Sequence, residues 1–118
     1  MTNRVTSRIV AEMKRVLYAG GSFLTGDDIA DAVLDYAAEL ANAGKAARLD
    51  VPALDLEQQP ERVSLVIGPA SQLLSEPIAV GQELEDETFT EAIRRQTHVL
   101  QRKSGTNDGA DFSAFAVI

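Results

Sequence analysis

The sequence predicts an α+β fold: a small antiparallel β-sheet of three to four strands, two main helices packed on one face, and a short N-terminal helix. Three observations carry that reading. Residues 26–43 have helical apolar spacing with stop and start signals at both ends, and residues 86–103 repeat the pattern. Between them, Leu49-Val51-Ala53 and Val63-Leu65-Ile67 alternate as strands do. The first strands, a helix, a strand pair and a second helix suit helices segregated to one face of an antiparallel sheet. The 118 residues hold too few strand–helix–strand units for a doubly wound parallel sheet.

The elements follow in chain order. Ile9, Met13, Val16 and Leu17 fall at helical spacing, and Ser7 stands where a cap would, which suggests the N-terminal helix. Val16-Leu17-Tyr18-Ala19 then turns β-prone, Gly20-Gly21 makes a turn, and Ser22-Phe23-Leu24 pairs back as a hairpin. For the helix at 26–43, Thr25 is the expected N-cap, Asp28 its capping-box partner, and Leu24 with Ile29 a hydrophobic staple. Its core stripe is Ile29, Val33, Tyr36, Ala37 and Leu40; its polar stripe is Asp28, Asp31, Asp35, Glu39 and Asn42. Gly44 is the expected C′ glycine.

Pro52 lacks a donor, so the strand around Leu49–Ala53 is expected at an edge or to end there. The strand at about 62–67, with Val66 also apolar, reads as central. Gly68-Pro69 ends it. Residues 70–75 read as one helical turn, and Glu76-Pro77 as extended chain. In the helix at 86–103, Phe89, Ile93, Thr97 and Leu100 share a face, acids crowd the start and Arg102-Lys103 close the end. Residues 1–103 form one domain. Residues 104–118 are a flexible tail: a polar linker at 104–109, then Phe112, Phe115, Val117 and Ile118.

Composition bounds the function. The chain has 45% hydrophobic residues, 25% charged residues and no cysteine. These are globular values, and the missing cysteine suits a reducing compartment. Eight Arg against three Lys and the many alanines suggest a GC-rich bacterial source. Met1-Thr2-Asn3-Arg4 leads into no apolar run, so no signal peptide is expected, and no stretch is long enough for a membrane span. The net charge of −7 argues against nucleic-acid or membrane partners. That charge is segregated: residues 27–61 carry nine acids against two bases, while residues 92–103 carry four bases and no acid.

No motif carries chemistry. The glycines at 20, 21 and 26 lack both the dinucleotide spacing and the P-loop lysine, and Asp27-Asp28 would repel a phosphate at the helix start. The acidic stripe diverges along one helix and reads as a solvated face. His98 sits between Arg94 and Arg102 with no nucleophile motif around Ser71 or Ser75. Arg94, Arg95, His98, Arg102 and Lys103 read as a solubilising helix end.

The expected function is therefore a protein-partner binding or regulatory module without catalysis, acting on a protein partner or as a homo-oligomer in the cytoplasm. No cofactor, metal or catalytic residue is expected. The partner-binding candidates are Phe112, Phe115, Val117 and Ile118. The alternatives are a small enzyme or ligand binder with a site of scattered residues, and an acidic mimic of nucleic acid.

Overall fold

The computed structural model describes residues 11–80 and 84–116; of residues 11–12, 79–80 and 104–116 only the backbone is described. Five strands and two helices follow in the order β1 (Ala11–Tyr18), β2 (Gly21–Gly26), α1 (Asp27–Ala43), β3 (Ala47–Leu54), β4 (Pro60–Ile67), β5 (Leu73–Val80) and α2 (Glu87–Ala116). The strands form one antiparallel sheet in the spatial order β4-β3-β2-β1-β5. The α+β class is as expected, but the sheet has five strands rather than three to four.

The expected N-terminal helix gives way to strand over its second half. Met13, Val16 and Leu17 lie in β1, which is paired on both sides; residues 1–10 lie outside the described residues. The helical spacing arose because Met13 and Val16 are both buried although they point to opposite faces of the strand.

A second strand went unread. Residues 73–80 pair along their whole length with β1, from Leu73 opposite Tyr18 to Val80 opposite Ala11. Residues 73–75, read as part of a helical turn, are strand, and Glu76-Pro77, read as extended, continue it; Pro77 is tolerated because β5 is an edge strand.

The two sheet halves are joined narrowly. β1 and β2 match over six residue pairs and β3 and β4 over eight, but β2 meets β3 at Leu24 opposite Leu54. Pro52 explains the gap: it lies in the interior strand β3 and has no N–H to offer toward β2. Its carbonyl instead accepts a 2.7 Å hydrogen bond from the buried Thr25 hydroxyl. The edge assignment was thus reversed. β3 is interior in spite of Pro52, and β4, read as central, is an edge. Leu65 and Ile67 of β4 are buried toward the helices, whereas Val66 is 68% exposed on the other face.

Thr25 is also not the cap of α1. Gly26 occupies the N-cap in an extended conformation with no side-chain cap bond. Leu24, opposite Arg15 and Leu54, points to the other face of the sheet from Thr25, and no staple forms. At the far end Gly44 is left-handed (φ 67°, ψ 32°). Its N–H reaches Ala41 O at 3.1 Å and Lys45 N–H reaches Leu40 O at 3.0 Å, the two bonds of a Schellman motif.

The core lies between the sheet and α1. Ile29, Val33, Tyr36 and Leu40 of α1 meet Val16, Phe23, Leu49, Val51, Leu65 and Ile67. α2 packs beside α1 through Ile93 and Leu100, and Thr97 on the same face returns its hydroxyl to Ile93 O at 2.9 Å. Asp86 caps α2 by accepting from Phe89 N–H at 3.0 Å.

Candidate functional site

A groove opens at the hairpin end of the sheet, on the flank of α1 turned toward β5. Its volume is about 910 Å³, and its walls are the β1–β2 turn, α1 and the start of β5. Each wall has a local cause. Ala19 and Gly20 form the two-residue turn with φ of 40° and 83°, the positive pair that a type I′ hairpin requires. The opposite wall is fixed by the turn after β4. There Ser71 N–H donates to Gly68 O at 3.0 Å and Gly68 N–H to Ser71 Oγ at 2.9 Å. Leu34, Ala37, Ala38 and Ala41 of α1 recur at helical spacing and form the floor. Ala37, read as part of the core stripe, is half-buried at its edge, and Leu34, Ala38 and Ala41 lie beside it, so α1 is apolar over a wider arc than one sheet contact needs.

Tyr18 is the hinge of the site. Its ring lies edge-on to Phe23, with centroids 5.9 Å apart and planes at 64°, and Phe23 is buried. That contact fixes the Tyr18 ring in the groove wall. A second hollow of about 640 Å³ lies on its other side, under the Gly68–Gln72 crossover. The two hollows share Tyr18, Ala19, Ser71, Gln72 and Leu73.

Among the described residues the lining carries no Asp, Glu, Lys, Arg or His. Its polar side chains are those of Tyr18, Ser22, Ser71 and Gln72. Charge is instead held beside it. Lys14 of β1 hydrogen-bonds the Asp27 carboxylate and reaches Asp31 at 3.3 Å. The hydrogen bond to Asp27, assisted by Asp31 and opposed by partial burial, holds the Lys14 ammonium above its ordinary pKa of 10.5.

Further along the same stripe, Asp35 pairs with Arg94 at 3.5 Å and Glu39 accepts from Gln101 at 3.3 Å. The acidic stripe is largely the solvated face expected: Asp28, Asp31, Asp35 and Asn42 are exposed, and Asp31 and Asp35 meet cations of β1 and α2 at the surface. Acid spacing alone does not disclose this, since the cations come from other elements.

His98 is exposed on α2, and Ser71 is spent on its turn. Among the described residues no three His, Asp or Glu side chains converge as metal ligands. No helix among them is long and apolar enough to cross a membrane.

Phe112 and Phe115 fall in the last turns of α2, where only the backbone is described, and Val117 and Ile118 lie outside the described residues. α2 also spans positions 104–109, read from sequence as a linker. The groove residues were missed, although Leu34, Ala37, Ala38 and Ala41 carry a visible signal in their spacing.

No protein-family model matches the chain, and neither a curated protein nor a solved structure shows significant similarity to it.

Proposed function

We propose that this chain is a protein-binding module without catalysis of its own, which takes an apolar segment of a protein partner into the hairpin-end groove. One observation carries the reading. A quarter of the chain is charged, yet none of the fourteen described residues lining the groove is. Uncharged apolar surface held open between secondary-structure elements is costly in water and marks interaction sites. The floor of alanines allows close approach of another backbone.

The same lining disfavours an enzyme. General acid–base chemistry needs a titrating group near neutrality, and among the described lining residues Tyr18 is the sole ionisable side chain. A net charge of −7 favours a protein over a nucleic acid as the partner. The cysteine-free composition fits a reducing cytoplasm.

The test is residue-specific photo-crosslinking in native lysate. A crosslinker at Ala38 should yield discrete protein adducts, and one at Ser64, exposed on the opposite face of the sheet, should not. Equal labelling from both positions, or none from Ala38, contradicts the reading.

A further inference from the structure

The two helices start at the same end of the molecule and run side by side. Asp35 meets Arg94, and Glu39 meets Gln101, so position rises along both helices together. α1 stops at Ala43 and turns away at Gly44. α2 continues to Ala116, thirteen residues past Lys103. The Glu39–Gln101 contact sets Ala43 level with Gly105, so at 1.5 Å per residue about 16 Å of helix lies beyond the end of its neighbour.

The overhang leaves from the end of the molecule where the groove opens, but from the other flank of α1. The contacts to α2 use Asp35 and Glu39, whereas the groove uses Leu34, Ala37, Ala38 and Ala41. A continuous helix leaving along its own axis does not double back across α1. Its sequence is nevertheless unsuited to water: Phe112, Phe115 and Ala116 share one helical face. One surface wants an apolar segment, and one apolar segment is carried away from its own surface.

We propose that the groove of one copy receives the C-terminal end of α2 from a second copy, reciprocally, in a two-fold dimer. The proposal rests on the reading of the groove as a protein-docking site. Length and direction exclude the chain's own groove, and reciprocity satisfies both segments with a single closed symmetry. Charge agrees. The segment 104–118 holds Asp108 and Asp111 and no base, and Lys45 stands exposed just past the groove end of α1.

Sedimentation of full-length chains tests this. Wild type should run as a dimer. Ala38→Glu places a carboxylate in the groove, and Phe112→Glu/Phe115→Glu places two on the arm. Each variant alone should associate at least tenfold more weakly, with its thermal unfolding still cooperative. Mixed, they should form a one-to-one dimer, because one supplies an intact arm and the other an intact groove. Ala41→Glu serves the same purpose should Ala38→Glu fail to fold. A monomeric wild type, a dimer that survives the Phe substitutions, or a mixture that stays monomeric overturns the proposal. A monomeric wild type whose Ala38 still crosslinks a different protein would overturn the second-copy occupant and leave the groove reading intact. Loss of both would end both.

Discussion

Replacing Thr25 probes the seam that holds the two halves of the sheet together. Thr25 is fully buried, and its hydroxyl donates at 2.7 Å to Pro52 O beside the Leu24–Leu54 pair. Thr25→Val keeps the shape and deletes the donor. The loss is one hydrogen bond, about 1 kcal/mol net, plus desolvation of a carbonyl left buried, about 1–3 kcal/mol. The sum expected is about 2–4 kcal/mol, read as a shift of urea midpoint at unchanged slope. Thr25→Ser keeps the donor and should cost about 1 kcal/mol for the missing methyl. The decisive variant is Thr25→Asp. A helix cap accepts Asp as readily as Thr, whereas the seam would bury a carboxylate against a carbonyl oxygen and should unfold the domain. A Thr25→Asp protein within about 0.5 kcal/mol of wild type would refute the seam argument and restore Thr25 to the cap.

Gly26→Ala should destabilise by about 2 kcal/mol or more in the same melts, since the new Cβ would lie 1.8 Å from Leu84 O and main chain must move. The backbone at Gly26 (φ −70°) suits any residue, so a neutral result would mean that the chain at Leu84 yields freely. Lys14 gives a pH dependence of known sign. Its folded pKa lies above 10.5, so its contribution is fully present below that value and is lost as pH rises through the folded pKa. Lys14→Met should abolish that alkaline component of the stability profile, while a profile unchanged from wild type would remove Lys14 from the account.

The legible parts of the fold were those where local and tertiary signals agree. α1 and the buried face of α2 came from apolar spacing, and Gly44 from its place after the last periodic residue. The misread parts are those where a tertiary partner decides. Pro52 sits in an interior strand because Thr25 serves its carbonyl from elsewhere in the chain. β5 carries Glu76 because Arg15 lies opposite it at 3.1 Å. Leu65-Val66-Ile67 looked central because all three are apolar, although Val66 faces solvent. The groove was half legible. The alanine row on α1 is visible in the sequence, but its exposure follows from α2 packing on the other flank.

Methyl spectra of the Leu- and Ala-labelled chain, in native lysate and purified in buffer, test the central claim most directly. If the groove docks a protein segment, whichever copy or partner supplies it, the methyls of Leu34, Ala37, Ala38, Ala41 and Leu73 should shift or broaden as a group. Those of Leu34, Ala37, Ala41 and Leu73 should return to their free positions in Ala38→Glu diluted until monomeric. Groove methyls that keep one position throughout, while others such as those of Ala53 or Leu65 respond, would contradict it.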